Sequence, residues 1–119
     1  MGKKILFVDD DNNWHVVVTT WLQDAGYEVL TARDASEAMA QTEGVELSLA
    51  ILDLDLAGEN GVMLMRFLKQ NNPDLPVILF TGMEHDGEAI MNLLQEGAHS
   101  YVRKGSQQEL LQAVDLVLQ

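Results

Sequence analysis

The chain has 119 residues, and 19 Asp and Glu against 7 Lys and Arg give it a formal net charge of −12. That length suits one domain, read as residues 1–119, that folds without staples, and an apolar fraction of 47% argues against disorder. The charge disfavours direct nucleic-acid binding, no apolar run approaches the roughly 20 residues of a membrane span, and the lack of cysteine removes disulfides and thiolate metal sites and suits a reducing cytoplasm.

Residues 5–8, Ile-Leu-Phe-Val, predict a first strand that runs into Asp9-Asp10-Asp11. The apolar run is too short for a signal sequence despite the basic Lys3-Lys4 before it. Residues 12–25 carry Trp14, Val17, Val18, Trp21, Leu22 and Ala25 at helical spacing. Asp11 is the natural N-cap of that helix and Gly26 its stop. A second strand follows at 27–32. Asp34 with Glu37 forms a capping-box spacing before a helix bearing Ala35, Ala38, Met39 and Thr42. Gly44 ends it.

The third strand covers 47–52, and a loop through Asp53, Asp55 and Gly58 leads to a third helix at 61–70, closed before Pro73. Residues 77–80 form a fourth strand and 88–96 a fourth helix with Ile90, Leu93 and Leu94 inward. A short fifth strand covers 100–103. Ser106 with Glu109 caps the last helix, lined by Leu110, Val114 and Val117.

Strands alternating with helices imply repeated βα units and a parallel sheet. Strands one, three and four are apolar on both faces, as central strands must be. Strands two and five carry Glu28, Ser100 and Arg103, which suits edges. The predicted order is therefore 2-1-3-4-5, a flavodoxin-like doubly wound (βα)5 sandwich of class α/β.

In such sheets ligands bind beyond the carboxyl ends of the strands, at the switch point between strands one and three. Strand one delivers Asp9 and Asp10 there, strand three Asp53, strand four Thr81 and strand five Lys104. Each residue alone has an ordinary reading as a turn, a cap or a solvated charge. Together they form a rim of three carboxylates, a hydroxyl and an ammonium. Clustered carboxylates stay ionised only beside a cation, and a set without His or Cys favours Mg²⁺ over zinc. A carboxylate can attack a phosphoryl group to give an aspartyl phosphate, and Asp53, at the centre of the sheet, is the best nucleophile.

Asp9-Asp10, Asp53 eight residues before Gly61, Phe80-Thr81-Gly82, Gly97-Ala98 and Tyr101-Val102-Arg103-Lys104 occur in this order along the chain. In that combination the sequence resembles the receiver domain of two-component response regulators over essentially its whole length. The resemblance implies that Asp53 accepts phosphate from a sensor histidine kinase or phosphotransfer protein. It implies Mg²⁺ held by the side chains of Asp10 and Asp53, by the backbone carbonyl of Asp55, and by Asp9 through water. It gives Thr81 and Lys104 to the phosphoryl group and makes Tyr101 a rotameric switch. Phosphorylation would then shift the surface of the fourth helix, fifth strand and fifth helix (α4-β5-α5), which would control an output domain or partner absent from this chain, or form a homodimer. Such a module catalyses only its own phosphorylation and dephosphorylation.

The sequence departs from the family pattern at Ala57 and Gly105, where Pro is usual, and at Ser106, where an aromatic is usual. A cis bond without proline costs about 3 kcal/mol, so Lys104–Gly105 is expected to be trans or mobile. Asp55 and Met83 stand where dephosphorylation is tuned in the family. His15, His85 and His99 are scattered and read as surface or loop groups. Trp14 and Trp21 read as packing residues, and Met63, Met65, Met83 and Met91 as core or gap filler, with Met63 beside the stripe of the third helix. Met91, Leu111 and Leu118 fall off the inward stripes of the last two helices, an apolar patch that would suit a partner or dimer surface. Two rival functions stand beside this one. Leu52-Asp53-Leu54-Asp55 resembles the motif of haloacid-dehalogenase-like phosphatases, and a receiver-like scaffold could bind partners without phosphorylation.

Overall fold

The structure is a computed structural model that describes residues 3–56, 59–82 and 87–118. Expectations at Ala57, Gly58, Met83 and His85 lie outside the described residues. Five strands build the main sheet: β1 Lys4–Val8, β2 Glu28–Ala32, β3 Leu49–Leu52, β4 Val77–Thr81 and β5 Ser100–Arg103. All pair in parallel, in the order β2-β1-β3-β4-β5. The helices are α1 Asn12–Asp24, α2 Ala35–Thr42, α3 Gly61–Asn71, α4 Gly87–Glu96 and α5 Gln107–Leu118. Asp55–Leu56 and Glu59–Asn60 form a two-rung antiparallel ladder before α3.

Alternation along the strands divides the core into two layers. Leu6, Val8, Ala50, Leu52, Val77 and Leu79 pack with Ala38 of α2, Leu64, Met65 and Leu68 of α3, and Leu93 of α4. Ile5, Phe7, Leu49, Ile51, Ile78 and Phe80 pack with Val18 and Leu22 of α1 and Leu110 and Val114 of α5. Successive side chains of a strand point to opposite faces, so a strand apolar throughout needs helices on both sides. Each fully buried Leu or Ile contributes about 2 kcal/mol.

The predicted caps form. Asp11 accepts from Asn13 N at 2.8 Å, Asp34 from Glu37 N at 2.8 Å, and Ser106 from Glu109 N at 3.2 Å. Gly26, at φ 96°, follows α1 in the left-handed region that favours glycine. Some boundaries and faces differ from expectation. β2 begins at Glu28 and β3 at Leu49, because Tyr27 and Leu47 pack on the core as flanks without joining the ladder. Val17, Ala25 and Met39 sit on the predicted stripes, yet all three are exposed, because α1 fully buries only Val18 and Leu22 and α2 only Ala38. Met65 fills the core, while Met63 and Met91 point to solvent. Leu111 and Leu118 pack against the α1–α5 layer, so of that predicted patch only Met91 stands clear, and Leu116 is the exposed leucine of α5.

Candidate functional site

Three backbone bonds carry the sheet one step past its carboxyl edge. Asp9 N donates to Ala32 O at 3.1 Å, Asp53 N to Val8 O at 3.0 Å, and Lys104 N to Thr81 O at 2.9 Å. The residues after β1, β3 and β5 are thereby held like strand residues, and their side chains rise from one edge. Thr81, the last residue of β4, lies on the same edge.

There the side chains meet. Lys104 Nζ stands 2.7 Å from Asp9 Oδ2 and 2.9 Å from Asp53 Oδ2. The Thr81 hydroxyl donates to Asp53 Oδ1 at 3.0 Å. Asp11 N donates to Asp9 Oδ1 at 2.9 Å. Asp9, Asp53 and Thr81 are buried, and Lys104 is half-buried. Burial pushes the Asp9 carboxyl above its ordinary range, and the Asp53 charge adds to this, against the pull of Lys104 and the Asp11 N–H. Burial also disfavours the Lys104 ammonium, but the two carboxylates outweigh it and raise its pKa.

Asp10 completes an acidic group. Asp9, Asp10 and Asp53 each offer a carboxylate oxygen, and these lie within 4.8 Å of one another. One ammonium among three carboxylates leaves negative charge in excess. The donors are hard oxygens without His or Cys, so the group can hold a hard cation.

The structure therefore brings together Asp9, Asp10, Asp53, Thr81 and Lys104. Tyr101 is placed apart, on β5 opposite Leu79, half-buried against the layer under α2, α3 and α4. Asp55 follows Asp53 closely, its backbone paired with Asn60. All described peptide bonds are trans, as expected for Lys104–Gly105, and Gly105 adopts φ 120°.

Two neighbours of the site were not legible as such. His15 is no surface or loop group. It is half-buried in α1, with Nε2 2.5 Å from the Asp9 carbonyl oxygen and its ring 5.8 Å from that of Phe7. A carbonyl only accepts, so Nε2 is the donor. Trp14 packs as expected but also lies under Lys104, with Nζ 5.4 Å from the ring centroid. The available signal was position: both residues fall in the opening turns of the helix that follows Asp9-Asp10.

A family model for the response regulator receiver domain matches residues 5–115. The chain is 31% identical over 104 residues to the alkaline phosphatase synthesis transcriptional regulatory protein PhoP of Bacillus subtilis, covering 87% of this chain and 43% of that protein. It is 34% identical over 121 aligned positions to the phosphate regulon transcriptional regulatory protein PhoB of Pseudomonas aeruginosa, covering 99% and 52%. The chain thus spans about half or less of these curated relatives. Among solved structures, a CheY-like response regulator receiver domain protein from Methanospirillum hungatei superposes with a TM-score of 0.90 at 30% identity, covering 99% of this chain and 94% of that one.

Proposed function

The chain belongs to the response regulator receiver family, and from that premise we propose that Asp53 is the residue that accepts the phosphoryl group. One observation carries the assignment. Asp53 is a buried carboxylate at the end of central strand β3, gripped by a hydroxyl on one oxygen and an ammonium on the other. The family membership favours this reading over the phosphatase and the unphosphorylated scaffold.

In the transfer, an Asp53 oxygen attacks the phosphorus of a phosphohistidine on a sensor kinase or phosphotransfer protein. The P–O bond forms as the P–N bond breaks, and the imidazole leaves and takes a proton from solvent. In dephosphorylation, a separate step, water attacks phosphorus, the P–O bond to Asp53 breaks, inorganic phosphate departs and the carboxylate returns. Lys104 and Thr81 already contact Asp53, so their charge and O–H are in place for the incoming phosphoryl oxygens. The oxygen donor set of the acidic group fits Mg²⁺, which the side chains of Asp10 and Asp53, the Asp55 carbonyl and, through water, Asp9 would hold. When bound, Mg²⁺ would neutralise charge between the carboxylates and the phosphoryl oxygens.

Thr81 and Lys104 would then leave their present partners for the phosphoryl group, Tyr101 would turn, and the α4-β5-α5 face would change. Shifting a population from mostly inactive to mostly active takes about 5 kcal/mol of differential contact, and charge-assisted bonds to phosphate are of that order together. The reading includes a receiver domain over residues 1–119, cytoplasmic location, self-catalysed phosphorylation and dephosphorylation only, and an output domain, partner or second copy as the recipient of the switch. Among the described residues no helix is long and apolar enough to cross a membrane.

The test is direct. With acetyl phosphate and Mg²⁺ the protein gains about 80 Da, one HPO₃, and Asp53→Asn does not. An unmodified wild type under conditions where the cation binds would sink the assignment.

A further inference from the structure

Resting on the reading of Asp53 as phosphoacceptor, we propose that Trp14 is a positioning residue for Lys104, holding its ammonium at Asp53 through the face of the indole ring. A lysine side chain has four rotatable bonds, and its charge must be at one place when the phosphoryl group arrives. The backbone supplies little of that order. Lys104 N is anchored to Thr81 O, but the next residue is Gly105, at φ 120°, and no heavy atom beyond its chain neighbours lies within 4 Å of where a Cβ would stand. Gly105 therefore has no side chain to brace the backbone directly after Lys104, and the next side-chain anchor is the Ser106 cap of α5.

Trp14 is braced. Its ring meets Phe80 edge to face at a centroid distance of 5.4 Å and an interplanar angle of 89°, and meets Trp21 at 6.3 Å and 72°. Its backbone N–H donates to Asp11 O at 3.1 Å. Asp11 N in turn fixes the Asp9 carboxylate. The first turn of α1 thus sets both a carboxylate and an aromatic face around one ammonium. Nζ lies 5.4 Å from the Trp14 centroid, within the range where a cation is attracted to the π-face. That attraction strengthens where water is excluded, and the Lys104 side chain is only 16% exposed. A rate that depends on Lys104 being in place should therefore fall roughly three- to tenfold without the ring.

The experiment measures phosphorylation of the full chain by acetyl phosphate with Mg²⁺ for wild type, Trp14→Met, Trp14→Phe, Lys104→Met and the Trp14→Met/Lys104→Met double variant. Trp14→Met keeps bulk without a π-face and should be slowed by that factor, and Trp14→Phe should recover most of the rate. In the Lys104→Met background the Trp14 substitution should have no further effect. An equal loss in both backgrounds means Trp14 acts by packing alone and overturns the proposal. Proton NMR of the unphosphorylated protein gives a second readout. The Lys104 Cε protons should be shifted upfield by the indole ring, lose that shift in Trp14→Met and keep part of it in Trp14→Phe. Unshifted protons in wild type also overturn the proposal, even if Trp14→Met does not fold. If wild type takes no phosphate, the phosphoacceptor reading fails, and the NMR result still decides the role of Trp14.

Discussion

Lys104 bridges Asp9 and Asp53, with Nζ 2.7 Å from the first and 2.9 Å from the second. Asp9 Oδ2 is fully enclosed, and the ammonium is its ionic partner. Removing that cation leaves two buried carboxylates facing each other. Lys104→Met is therefore expected to lose about 3 kcal/mol of stability near neutral pH without divalent cations. Urea unfolding checks this, and an unchanged midpoint would show that the bridge contributes nothing net.

Asp9→Asn tests the other end of the bridge. The folded-state pKa of Asp9 is raised above its ordinary 3.8, chiefly by burial. Such a group binds its proton more tightly in the fold than in the unfolded chain. Its contribution is whole below the unfolded pKa and is lost as pH rises through the raised folded value. The asparagine variant lacks that loss. Relative to wild type, it should gain stability as pH rises above the ordinary 3.8 and through the raised folded value, measured by parallel urea titrations in chelator. A stability difference that stays flat with pH contradicts the raised pKa.

Cation binding should act in the same place. Ligand that binds only the fold stabilises it, by about 2.7 kcal/mol at a hundred times its dissociation constant. Mg²⁺ is expected to raise the melting temperature of wild type, chelator to reverse this, and Asp53→Asn or Asp10→Asn to blunt it. Equal shifts in wild type and both variants would mean that the ion binds elsewhere.

A remote contact gives an independent check of the fold. The Tyr27 hydroxyl donates to Asp115 Oδ1 at 2.7 Å, joining the approach to β2 with α5. Burial and the Asp115 carboxylate push the phenol from 10.0 up to about 12. A raised folded pKa means a contribution present below the unfolded pKa and lost as pH climbs through the folded one. Tyr27→Phe should cost about 0.5 kcal/mol at neutral pH, and the gap to wild type should close between pH 10 and 12. A gap unchanged across that range would show that the hydrogen bond is absent in solution.

Much of this molecule is legible in one dimension because its causes are local. Apolar runs such as Val77–Phe80 demand cover on both faces, polar residues such as Glu28 and Arg103 mark edges, and Asp11, Asp34 and Ser106 cap helices through bonds two or three residues away. The sheet order then follows, and with it the edge on which Asp9, Asp53, Thr81 and Lys104 stand. Tertiary structure alone decided what those groups touch. Lys104 reaches Asp53 across 51 residues of chain, and no spacing rule says that it also takes Asp9, or that Trp14 lies beneath it. The His15 bond to the Asp9 carbonyl and the outward turn of Val17, Met39 and Met91 are likewise set by packing between elements. Periodicity tells which residues share a face of a helix, but the width of the face that is buried depends on the neighbour pressed against it.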